Sequence, residues 1–258
     1  MSFDLFAPGV GPTLVLLALR VGGLLLIAPV FSAKTIPGSI RTVLILLLTA
    51  VLAPSAYASS HGAAQITPAS FITEMLVGFA IGLGGAVLVG AAELAGDLMA
   101  TTMGLSGASL LDPLSGTSSN LLSQLAQLFA VTVLLSVDGH LVMLDALAAS
   151  AREVPVGTAL ELQRGMAAML STGGQLFVLG LRFAAPVLAA SLIANVALAI
   201  LTRAAPQLNV LTVAFPIQIA VGLTAMVASL AFLATYVSDW PLAFEGTITR
   251  IFGALSPG

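Results

Sequence analysis

Between Val210 and Ser238 the chain carries no charged side chain. About 20 apolar residues suffice to cross the hydrocarbon core of a bilayer, so this stretch is long enough to span one, with Pro216 as its expected kink. The same bias runs through the whole sequence. Of 258 residues, 59% are hydrophobic and only 7% charged, where an ordinary soluble domain has roughly 25% charged. The expected fold is therefore all-α, a helical membrane-type protein. A net charge of -3 provides no basic field for nucleic acid, and no polybasic run reads as a lipid anchor. With no cysteine, disulfides, thiolate metal sites and thiol nucleophiles are excluded. The first residues, Met1 to Phe6, hold an acid and no Lys or Arg, unlike the basic start of a cleaved signal peptide, so insertion without cleavage is expected.

Read in order, the chain shows six apolar stretches, at about 10–33, 42–53, 69–103, 121–151, 165–203 and 210–238. The first contains one charge, Arg20, and is followed by a turn-rich connection holding Lys34 and Arg41, which leans cytoplasmic by the positive-inside rule. The second is short, about the length of a half-span or a buried helix. A polar loop should follow it, with a new helix starting near Pro68, since Pro suits the first helical turn. In the third, Gly78, Gly82, Ala86 and Gly90 recur every four residues, a small-residue stripe that lets another helix approach closely, within this chain or between subunits. Glu93 and Asp97 follow on one face and should look toward protein, a cavity or the aqueous edge. The stretch from 165 to 203 would be about 58 Å long as one helix, so a break or kink is expected at Gly173-Gly174 and Pro186. From Asp239 the sequence turns amphipathic and is expected to form a short tail. No internal repeat is evident, so one unit over residues 1–258 is the economical reading.

A polar interruption divides the two apolar halves: Met103, Gly104, Leu105, Ser106, Gly107, Ala108, Ser109, Leu110, Leu111, Asp112, Pro113 and Leu114, continuing to Asn120. Gly, Pro and short hydroxyls disfavour helix, so residues 103–120 should form a loop. At membrane depth such a backbone needs either protein around it or a water-filled cavity, because lipid offers no hydrogen-bond partners.

Candidate chemistry is sparse. There is no phosphate-binding glycine loop, no paired metal-ligand helix and no GxSxG nucleophile elbow, which disfavours an enzyme. Asp138 and His140, taken with Glu93 and Asp97, are the remaining acid/base candidates, although Asp138 and His140 point to different helix faces. The plain reading of His140 is a hydrogen-bonded interior or interfacial histidine. Arg20 and Arg182 are costly within apolar spans and should each pair with an acid or snorkel to an interface, with Asp138 and Asp145 as expected partners. A proton or ion path is the functional alternative for the same charges. A multi-span transporter acting alone would show internal symmetry with acids at matching positions, and none is visible.

Four segments, taken together, resemble a known family. They are Arg20 to Phe31, Met103 to Pro113, Val137-Asp138-Gly139-His140, and Arg203 to Val210 with Phe215-Pro216. In this order and spacing, from about residue 12 to 235, they resemble the FliR family of flagellar export-gate subunits, whose injectisome relative is SctT. The resemblance implies a bacterial inner-membrane protein at the flagellar basal body, built of broken helical hairpins. It also implies assembly with FliP-like and FliQ-like subunits, and an FlhB-like one, into a closed helical complex, much of it lifted out of the bilayer on the periplasmic side. Unfolded export substrates would pass through that complex, and this subunit would need no cofactor and hydrolyse no ATP. The loop matching residues 103–119 would plug the channel. Family loops commonly carry Phe where this chain has Leu110, so the seal here would rest on Leu105, Leu110, Leu111 and Leu114.

Overall fold

The computed structural model describes residues 8–33, 36–60, 64–105, 121–158, 160–205 and 210–255. Every regular element among them is an α-helix: α1 (Val10–Ile27), α2 (Gly38–Ser60), α3 (Pro68–Thr102), α4 (Leu121–Ser136), α5 (Gly139–Glu153), α6 (Leu162–Ala204) and α7 (Val210–Leu255). Five of these are long and apolar enough to cross a membrane, or up to six spans if the broken pair α4 and α5 counts as one. Contacts gather the chain into two compact units. Unit 1 is Met1–Val87, Leu134–Gly174 and Trp240–Gly258, and unit 2 is Leu88–Val133 and Gln175–Asp239.

In unit 1, α1 buries Leu16, Leu17, Val21, Leu24 and Leu25 and packs on α2. α2 corrects the short helix expected at 42–53, for it runs from Gly38 through Pro54 to Ser60. The hydroxyls that suggested a loop instead bond back to the preceding turn: Ser55 donates to Leu52 O at 2.8 Å, Ser59 to Ala56 O at 3.0 Å and Ser60 to Tyr57 O at 3.2 Å. Self-satisfied hydroxyls keep polar side chains compatible with helix. The outward side of α2 shows Ile40, Val43, Leu46, Leu47 and Val51, an apolar surface suited to lipid or another helix.

α3 opens with Pro68 at its first position, behind a reciprocal cap. Thr67 N–H donates to Ser70 Oγ at 2.9 Å, and Ser70 N–H donates to Thr67 Oγ1 at 3.0 Å, which satisfies two donors that the helix start leaves open. Its first turns lie directly on α1. A Cβ at Gly78 would fall on the Arg20 carbonyl oxygen, and one at Gly82 would come within 3.1 Å of Ala28 N and Leu24 O. Only glycine lets the two backbones meet this closely.

The helices α4 and α5 are separated by Val137-Asp138. Asp138 adopts a left-handed conformation, φ 55°, and its carbonyl accepts the N–H groups of Leu141 at 2.8 Å and Val142 at 3.1 Å. Asp tolerates that conformation better than most residues.

Two long helices continue through points where the sequence allowed an interruption. α6 continues for 43 residues through Gly173-Gly174 and Pro186, although the boundary between the two units falls immediately after Gly174. α7 runs 46 residues, so no tail begins at Asp239. Its amphipathic end instead buries Trp240, Phe244, Ile248, Ile251, Phe252 and Leu255, a helical stripe that carries the segment into the core of unit 1. There the ring of Phe244 lies against Gly84, and Leu255 lies against Gly165.

Candidate functional site

Two places concentrate the polar chemistry, one in each unit. In unit 1, Arg20 sits in the middle of α1 and is fully buried. Its Nε donates to Glu74 Oε2 at 2.6 Å. Its Nη1 donates to Ser150 O at 3.0 Å, Ser150 Oγ at 3.1 Å and Val154 O at 2.9 Å, at the C-terminal end of α5. A cation there meets the negative end of the helix dipole and its otherwise open carbonyls. The second oxygen of Glu74 accepts the Gly157 N–H at 2.8 Å, in a turn where Gly157 has φ 85°. One ion pair thus ties α1, α3 and the turn after α5. Nη2 of Arg20 is buried without a partner.

This arrangement corrects the expected pairing. The partner of Arg20 is Glu74, whereas Asp138 and Asp145 are both exposed. Sequence reasoning passed over Glu74. The signal was present, since it is the only acid between Asp4 and Glu93.

In unit 2, the last turn of α3 forms the root of the central loop. Leu105 N–H donates to Ala100 O at 2.9 Å and Gly104 N–H to Thr101 O at 3.1 Å, with Gly104 at φ 77°. That pair of bonds around a left-handed glycine is a Schellman cap, which ends the helix and redirects the chain. Met103 is fully buried, its side chain pressed on the backbone of Gly222 in α7, while Gly104 rests near the ring of Phe215. Nearby on α7, Gln218 Nε2 donates to Asn195 Oδ1 of α6 at 2.6 Å. Farther back on α3, Gly96 lies on the backbone of Leu122 and Ser123 at the start of α4. The helices on either side of the loop are therefore pinned together close to its base. Ser106 to Leu114, and the loop as far as Asn120, lie outside the described residues.

The other residues singled out from the sequence are dispersed. Gly78 and Gly82 pack on α1, Ala86 is half-buried, and Gly90 lies against Leu176 of α6. Glu93 is exposed, and its carboxylate accepts from Gln127 Nε2 at 3.2 Å; Asp97 is half-buried. Arg182 is exposed on α6. His140 is half-buried, and its Nδ1 is buried without a hydrogen-bond partner. Asp138, Asp145 and His140 share the corner between α4 and α5 and the helix that leaves it. Arg182 and Glu93 sit on other helices, in the other unit.

Comparison with known proteins places these features in a family. Residues 12–241 match the family described as bacterial export proteins, family 1. The chain is 31% identical over 207 residues to the flagellar biosynthetic protein FliR of Pectobacterium carotovorum, covering 79% of this chain and 78% of the relative. It is 29% identical over 224 residues to FliR of Escherichia coli, covering 84% of each, and 30% identical over 238 residues to FliR of Aquifex aeolicus, covering 88% of each. A match this long takes in the buried Arg20–Glu74 pair, the loop root and the α4–α5 corner together, and the chain belongs to the FliR family of bacterial export proteins.

Proposed function

We propose that this chain is a subunit of the core export gate of a flagellar type III secretion system, in the bacterial inner membrane at the flagellar basal body. Family membership across residues 12–241 carries this reading, and the name of its relatives, flagellar biosynthetic protein FliR, supplies the flagellar context. The chain works as one functional unit with FliP-like, FliQ-like and FlhB-like subunits, building a conduit for unfolded export substrates. It performs no catalysis and takes no cofactor. Residues 103–120 act as the stopper of that conduit. A stopper needs a fixed base and an apolar seal, and the Schellman cap at Gly104, the buried Met103 and the pinned start of α4 support the first requirement. Leu105, Leu110, Leu111 and Leu114 would supply the second. Exposed apolar side chains along α2, α6 and α7 support a subunit that is completed by neighbours or lipid.

Extraction in mild detergent followed by mass measurement tests the reading. Recovery with FliP-like and FliQ-like companions is the expected result, and recovery only as a monomer overturns it.

A further inference from the structure

Glycine serves a helix in two ways, by letting a neighbour approach or by letting the backbone yield. In α3 the first use is general. A Cβ at Gly78, Gly82, Gly84, Gly85, Gly90 or Gly96 would come within 3.1 Å of a neighbouring atom. In α6 the same holds for Gly165, against Leu255, and for Gly180, against Leu94. Gly173 and Gly174, between those two, differ. A Cβ at either would meet nothing within 4 Å, so no packing within the chain requires glycine there. Each nevertheless weakens the helix about fivefold relative to alanine. The pair also stands where the boundary between the two compact units falls.

A second observation comes from the two residues just before the glycines. Ser171 Oγ donates to Ala168 O at 2.7 Å, and Thr172 Oγ1 donates to the same carbonyl at 3.0 Å. Helix geometry assigns that carbonyl the Thr172 N–H as well. Hydroxyls bonded back in this way favour bending. They also cover its cost, because a carbonyl freed from the helix ladder keeps a hydroxyl donor where lipid would offer none. The sequence Ser171-Thr172-Gly173-Gly174 thus joins a compliant backbone to donors already in place for a bent form.

We propose that residues 171–174 are a reversible joint in α6, at which the helix passes between a straight and a bent form. The packed glycines on either side, Gly165 and Gly180, hold the two arms, so the bend is confined to the unpacked step between them. In an export gate the joint lets the subunit yield as an unfolded chain passes, without unpacking either arm. That use rests on the export-gate reading; the joint itself does not.

The chain is free of cysteine, which makes the test direct. Ala167 and Leu181 are exposed and stand about 21 Å apart along a straight helix. Nitroxides on Ala167→Cys and Leu181→Cys in the full chain, reconstituted in lipid vesicles, report the bend as a distance distribution. A broad or two-peaked distribution is expected with the native glycines. Adding Gly173→Ala and Gly174→Ala should leave a single narrow one, the bent fraction falling about 25-fold. One narrow distribution in both proteins overturns the joint. In cells the double alanine variant should accumulate normally, co-purify with its companion subunits and reduce motility severalfold. Unchanged motility overturns the role in transport. Motility lost together with the companions marks the glycines as a partner's packing surface and overturns the proposal. If a strain lacking the chain still swims, the export-gate reading falls, and the distance measurement alone decides the joint.

Discussion

Arg20 is the residue on which unit 1 turns. A buried ion pair contributes little net stability when both partners are present, because desolvation offsets attraction, but removing one partner strands the other charge. Arg20→Ala or Glu74→Ala should therefore destabilise the chain by about 3–5 kcal/mol, read as a lower unfolding temperature in detergent. The double variant Arg20→Met with Glu74→Met should recover most of that loss, since an apolar pair leaves no buried charge. Single variants that unfold at the wild-type temperature would show that the pair bears no such weight. The sequence made Arg20 conspicuous as a cation inside an apolar span. It could not choose among acids, because the choice depends on which helix comes to lie on α1. Gly78 and Gly82 decide that, by letting α3 approach until Glu74 reaches the guanidinium.

At the scale of elements, two turns depend on backbone conformation more than on side-chain chemistry. Asp138 is exposed and left-handed, so Asp138→Asn should leave stability and export-dependent motility unchanged, whereas Asp138→Val should lose about 1–2 kcal/mol, the penalty for a side chain in that conformation. A proton path through Asp138 predicts the opposite for Asp138→Asn, namely loss of motility at normal protein levels. At the loop root, Gly104→Ala should lose about 1 kcal/mol, because alanine resists the positive φ of the Schellman cap. Thermal unfolding of the purified chain measures both. The start of α3 was legible from Pro68 because its cap is local. The bounds of α2 and the C-terminal end of α7 were not, whereas the end of α6 at Ala204 was. Ser, Gly and Pro punctuate a sequence only when nothing else holds the helix, and here hydroxyl back-bonds at Ser55, Ser59 and Ser60, and burial of Trp240 through Leu255, carry the helices past their punctuation.

For the whole molecule, the stopper makes the sharpest prediction. Deleting Gly104 to Ser115 should raise ion leakage through the assembled gate, measured as proton or salt flux across vesicles, and unchanged leakage in a correctly assembled complex would remove the role given to the loop. What the sequence determined by itself was the solvent this chain is written for, its helical class and its family, because these rest on composition and on short motifs that survive without neighbours. Which charges are buried, which acid answers Arg20, and where α2 and α7 end were decided only by tertiary structure. The physical reason is shared by all three. Solvation of a charge, and the cost of an open backbone group, depend on what packs against it, and in this chain those contacts come from residues far apart in sequence, as between Arg20, Glu74 and Ser150.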